Sequence, residues 1–65
     1  MSKEFPFLVY CIEIYKIAKN LKGKEVYNLF EQYKLNDYII KYFEALHTTG
    51  KEYIIADIDR FIETR

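Results

Sequence analysis

The side chains able to do chemistry are few in this chain, and their spacing does not bring them together. The one cysteine is Cys11 and the one histidine is His47. A cysteine becomes a nucleophile when a neighbouring base or positive charge makes it a thiolate. Cys11 instead falls on a broad apolar helical face, the setting of a buried, inert thiol. Glu44-Ala45-Leu46-His47 places a carboxylate and an imidazole on one face of a helix. Carboxylate-bridged di-metal bundles use that spacing, but they need two copies and two further inward carboxylates. The single copy here sits at a helix end, where Glu44 is expected in water and His47 beside the negative end of the helix dipole. Asp57 and Asp59 form an acidic pair, yet two helical residues apart means roughly 200° apart around the axis. They cannot share a metal ion or a proton, and Asp57 suits a pair with Arg60 or with a lysine of a neighbouring helix. Lys22-Gly23-Lys24 resembles a fragment of a phosphate loop, but no strand precedes it. These residues predict neither an enzyme nor a bound cofactor.

Sixty-five residues form one domain, and a domain this small buries only about 60% of its unfolded surface. Such domains need additional support. A lone cysteine excludes an internal disulfide and fits a reducing compartment. One Cys and one His cannot complete a four-ligand zinc site. Packing and self-association remain. Seven tyrosines and five phenylalanines, 18% of the chain with no tryptophan, supply the packing material. Ten basic and ten acidic residues cancel, which argues against neutralising nucleic-acid phosphates as the main task. The start of the chain lacks signal-peptide character, and its apolar stretch is too short and too interrupted by Glu13 and Lys16 to span a membrane. The expected location is the cytoplasm.

Four helical segments are predicted, forming an all-α compact bundle around a long central first helix. The first runs from about Pro6 to Leu21, with Pro6 tolerated in the first turn. Phe7, Leu8, Cys11, Ile14, Tyr15, Ala18 and Leu21 make its apolar face, which Tyr10 and Ile17 widen to about half the circumference. So wide a face suits a helix packed by several neighbours. Gly23 is expected as a left-handed stop. The second segment spans about Lys24 to Tyr33, with Val26, Leu29, Phe30 and Tyr33 inward. Asn36 is the expected cap of the third, about Asp37 to Leu46, whose stripe is Ile39, Tyr42, Phe43 and Leu46. The fourth opens on Thr49-Gly50-Lys51-Glu52, a capping-box pattern. Ile54, Ile55, Ile58, Phe61 and Ile62 face inward. Tyr53-Ile54-Ile55 could pass for a strand, but no second strand exists to pair with it.

The second and third helices, joined by a short turn, could cross like a helix-turn-helix pair. A recognition helix aims Arg, Lys, Asn or Gln at base edges. The third segment offers Asn36, Asp37, Lys41 and Glu44, a nearly neutral set, so a DNA-binding regulator ranks second. The aromatic surplus ranks a protein partner or a homodimer first. Val9, Tyr10, Ile17, Tyr38, Ile40 and Tyr53 exceed the needs of one small core, and exposed tyrosine beside aliphatic residues marks interface centres.

Four stretches resemble a known family: Phe7-Leu8-Val9-Tyr10-Cys11-Ile12-Glu13, Gly23-Lys24-Glu25-Val26-Tyr27, Leu46-His47-Thr48-Thr49-Gly50 and Asp57-Ile58-Asp59. Together they look like the short bacterial proteins grouped as domain of unknown function 3791. The resemblance covers nearly the whole chain. It implies a small helical cytoplasmic protein and carries no catalytic residue. Members occurring beside ADP-ribosyltransferase-like proteins imply a partner-binding or antitoxin-like role.

Overall fold

In the computed structural model, which describes residues 3–64, five helices follow one another: α1 (Glu4–Lys19), α2 (Gly23–Gln32), α3 (Leu35–Lys41), α4 (Phe43–Leu46) and α5 (Lys51–Glu63). No strand occurs among the described residues. The segment Tyr53-Ile54-Ile55 is helical.

α1 begins with Glu4 in its first turn and ends with Lys16 and Lys19 in its last, each sign complementing the dipole at its end. Its stop is Asn20, in the left-handed region at φ 55° and ψ 46°. The Leu21 N–H donates to the Lys16 carbonyl at 3.0 Å and the Asn20 N–H to Ile17 at 3.3 Å, the paired bonds of a Schellman motif. The left-handed stop expected at Gly23 is thus made three residues earlier by asparagine, whose short polar side chain tolerates that conformation. Gly23 is instead the first residue of α2. There the Glu25 carboxylate accepts the Lys22 N–H at 2.8 Å, satisfying one free donor of the helix start.

The turn between α2 and α3 is only Tyr33–Lys34. Lys34 takes φ 56° and ψ 37°, which costs a residue with a Cβ about 1–2 kcal/mol. The turn delivers Leu35 into the core, fully buried. Asn36 is therefore not the cap expected; it lies inside α3 and its amide donates to Glu31 at 3.0 Å.

The single third helix expected from the sequence is two, which makes five helices in place of four. Tyr42, at φ −104° and ψ 24°, interrupts it. The break lets the two halves reach different neighbours. Before it, Tyr38 lies against Phe61 of α5 at 4.4 Å; after it, Phe43 meets Phe7 of α1 edge to face at 5.4 Å. Tyr42, placed on the inward stripe by periodicity, is exposed at the break. The Thr49 hydroxyl donates to the Leu46 carbonyl at 2.7 Å, so it closes α4 instead of capping α5. The cap of α5 is Gly50.

One core joins the elements. Leu8, Cys11 and Tyr15 come from α1, Val26 and Phe30 from α2, Leu35 and Ile39 from α3, Leu46 from α4, and Ile54 and Ile58 from α5. α1 packs on α2, α3 and α5, the central position its wide apolar face predicts. Ala18, expected on the buried face, is exposed.

Candidate interaction faces

The reactive side chains occupy separate environments. Cys11 is fully buried, and burial pushes its thiol from 9.0 up to about 12. Near neutral pH it stays protonated, which removes its nucleophilicity. His47 lies on the surface beyond α4. Its Nδ1 sits 2.9 Å from the Phe43 carbonyl, which can only accept, so the ring donates there. The imidazole also stacks on the Phe43 ring, with centroids 4.5 Å apart and planes 10° apart. Glu44 is exposed. Among the described residues, no three His, Cys, Asp or Glu side chains come close enough to hold a metal ion.

Asp57 and Asp59 diverge as their spacing dictates, and each secures a tyrosine on a different helix. The Tyr15 hydroxyl of α1 donates to Asp59 at 2.7 Å, and Lys19 Nζ donates to the other oxygen at 2.7 Å. The Tyr38 hydroxyl of α3 donates to Asp57 at 2.6 Å. Arg60 lies 3.5 Å from Asp57, the pairing anticipated one turn along the helix. Burial opposes the charge on Asp59, but the bonds from Lys19 and Tyr15 and the lysine's charge outweigh it and hold the carboxyl below its ordinary value. Burial, then the bond to Asp57 and its charge, raises the Tyr38 phenol from 10.0 to about 12. The same causes, with Asp59 as the acceptor, push Tyr15 higher still. Sequence reasoning missed both tyrosine–carboxylate bonds. Their partners are 44 and 19 residues apart, so no local pattern encodes them.

Of the residues singled out as a candidate interface, Val9, Tyr10, Ile17, Ile40 and Tyr53 are exposed. Tyr38 is not a free surface residue. It is half-buried, packed against the core and tied to Asp57, because α5 covers the side of α3 that lies off the helical stripe. Phe5, Tyr27 and Tyr42 are also exposed.

Two of the depressions against α5, similar in size, hold exposed large apolar side chains. One, about 320 Å³, lies between α1 and α5 and is lined by Ile14, Ile17, Ala18 and Ile55, with Lys51 and Glu52 at its edge. Ile17 is the most exposed large apolar side chain there, at 71%. The other, about 350 Å³, lies between α3 and α5, with Tyr38, Tyr42 and Phe61 among Lys34, Asp37 and Lys41. Tyr38 and Tyr42 lie 5.0 Å apart there, and Lys41 Nζ sits 5.5 Å over the Tyr42 ring. The first face is aliphatic; the second is aromatic and ionic.

The architecture is that of a small all-helical bundle with an aliphatic face and an aromatic, ionic face open to solvent. The chain belongs to the family described as Protein of unknown function (DUF3791), which matches residues 6–65. No curated protein and no solved structure matches the chain. No helix among the described residues is long and apolar enough to cross a membrane.

Proposed function

We propose that the chain is a cytoplasmic protein-interaction module that binds through its exposed apolar faces and has no catalytic role. The observation that carries this reading is the set of eight large apolar side chains left exposed among the described residues: Phe5, Val9, Tyr10, Ile17, Tyr27, Ile40, Tyr42 and Tyr53. Each leaves unburied area worth about 25 cal/mol per Å². A marginally stable small domain gains from covering it. Four of the eight are tyrosines, a residue enriched at the centres of protein interfaces.

The chemistry of the other side chains supports the same reading. The protonated, enclosed Cys11 is remote in character from the surface His47, and the two aspartates are engaged by tyrosines. A duplex-reading role finds little support, because the exposed side of α3 carries one acid, Asp37, and one base, Lys41, beside the apolar Ile40. The family resemblance adds one partner class to examine, ADP-ribosyltransferase-like proteins.

The test is affinity capture with the wild-type chain against a variant carrying Ile17→Ser, Ile40→Ser and Tyr53→Ser. Mass measurement of each species follows. A defined complex, with itself or with another protein, that the variant loses is the expected result. A monomer at all concentrations that captures nothing overturns the reading.

A further inference from the structure

Two described residues other than glycine take positive φ, Asn20 at 55° and Lys34 at 56°. Asparagine tolerates that conformation through its short polar side chain, and glycine adopts it freely. Lysine has neither relief, so the turn between α2 and α3 would form more easily with either of them in its place. A residue held in a costly backbone conformation points to a use for its side chain. Lys34 stands where two depressions adjoin. With Phe61 it lines both the space of about 350 Å³ between α3 and α5 and a neighbouring one of about 340 Å³ that reaches Tyr33.

The wall of the larger space is aromatic, because Tyr38 packs between Phe61 at 4.4 Å and Tyr42 at 5.0 Å. The polar groups around that wall are mainly donors. Lys34 and Lys41 are exposed, and the ion pairs among the described residues use Lys16, Lys19 and Arg60 instead. The Tyr38 hydroxyl is given to Asp57, whereas that of Tyr42 makes no hydrogen bond among the described residues. We propose that this depression binds a small aromatic anion, a planar ring carrying a carboxylate, sulfonate or phosphate group. The ring packs on the wall of Tyr38, Tyr42 and Phe61, while Lys34, Lys41 and the Tyr42 hydroxyl receive the anionic group. Size suits this occupant, since small-ligand sites start at about 300 Å³. The sign of the charge also selects it. Two ammonium groups line the space against one carboxylate, Asp37, and the nearby Asp57 is engaged by Tyr38 and Arg60. Aromatic faces also attract cations, but Lys41 Nζ already sits 5.5 Å over the Tyr42 ring and repels a second one. An anion without a ring would leave the aromatic wall unused. This site requires no partner chain and is independent of the protein-interaction reading.

The test is titration of the full chain with naphthoate, read by amide chemical shifts in NMR. Parallel titrations with naphthylmethylammonium and with inorganic phosphate reverse the charge or remove the ring. The variants are Lys34→Gly, Lys41→Gln and, in the aliphatic depression, Ile17→Ser; circular dichroism checks helicity. Naphthoate is expected to give saturable shifts centred on Lys34, Tyr38, Lys41, Tyr42 and Phe61, and to bind more tightly than either other probe. Each lysine change is expected to raise the naphthoate Kd by about 5-fold, the upper range for one exposed charge pair. Ile17→Ser is expected to leave it unchanged. Lys34→Gly relaxes the left-handed turn, so weaker binding with full helicity separates a ligand role for Lys34 from a structural one. Shifts that do not saturate, or that gather on the Ile17 face, overturn the site. Equal affinity for the ammonium probe overturns the selection of an anion, and equal affinity for phosphate overturns that of a ring. An unchanged Kd in both lysine variants overturns the role given to the ammonium groups. None of these results touches the protein-interaction reading, which the capture experiment decides.

Discussion

On the flank of α5 that faces α1, Asp59 receives two donors at 2.7 Å, the Tyr15 hydroxyl and the Lys19 ammonium. On the flank that faces α3, Asp57 receives the Tyr38 hydroxyl at 2.6 Å and a longer 3.5 Å contact from Arg60. Tyr15 is buried and packs edge to face on Phe30 at 5.9 Å. Tyr38 is half-buried and packs on Tyr42 and Phe61. The first flank is thus held by a buried ring and a full ionic partner on a more exposed carboxylate, the second by tilted rings nearer to water around a better-shielded one. Ile17 remains open on the α1 flank, and the corresponding space on the α3 flank is lined by aromatics and lysines.

Ile58 separates the two aspartates and is almost wholly buried. Ile58→Ala should therefore weaken both flanks together, by about 2–5 kcal/mol. In a domain this small, urea titration followed by circular dichroism should show the largest loss of all the changes considered. Loss of one flank alone would break the comparison. Tyr15→Phe removes a buried hydroxyl from a charged acceptor and should cost about 1.5 kcal/mol. Tyr38→Phe should cost less, about 1 kcal/mol, because the Tyr38 ring is only half-buried whereas Tyr15 is buried. Thermal melts of the two variants side by side decide the order, and an equal or reversed order refutes the asymmetry.

The pH dependence sharpens the same contrast. Cys11, Tyr15 and Tyr38 hold their protons more tightly when folded than when unfolded. Their contribution is fully present below the ordinary thiol and phenol values of 9.0 and 10.0. It is lost as pH climbs through that range toward about 12, where Cys11 and Tyr38 ionise in the folded chain. Asp59 has the opposite sign. Its depressed carboxyl contributes above the ordinary value of 3.8 and loses that contribution as the solution is acidified. Asp59→Asn should flatten the acid limb of a stability–pH profile, and Tyr38→Phe should remove a late component of the tyrosinate absorbance rise. The smallest effect belongs to Lys19→Ala. Lys19 and Asp59 are both about one-third exposed, so the loss should stay under about 1 kcal/mol and shrink further in salt.

Much of the architecture is legible in the chain. The stripe Val26, Leu29, Phe30 and Tyr33 defines the inner face of α2, and Ile54 with Ile58 that of α5, because a 3.6-residue period sorts side chains by face before any packing occurs. The stops are less legible. Asn20 serves where Gly23 looked better suited, since either residue tolerates the left-handed turn. The break at Tyr42 has no glycine or proline to announce it. It depends on Phe43 reaching Phe7 and Tyr38 reaching Phe61, which are contacts between distant segments. The exposure of Ile17, Tyr10 and Val9 was readable as apolar side chains in excess of a small core. It was misread for Tyr38, because a hydroxyl acceptor nineteen residues away turned an apparently spare aromatic into a docked one.

Composition and periodicity by themselves determined that this chain is helical, that α1 is central and that Cys11 is enclosed. These follow from local preference and from the requirement that apolar faces be covered. Only the tertiary structure decided which tyrosines are anchored and which are open. Periodicity says which way a side chain leaves its own helix, whereas its burial depends on what another helix brings to meet it. Tyr15 and Tyr38 meet aspartates on the two sides of α5. Tyr10, Tyr27, Tyr42 and Tyr53 meet no such partner helix and remain exposed, as does Ile17.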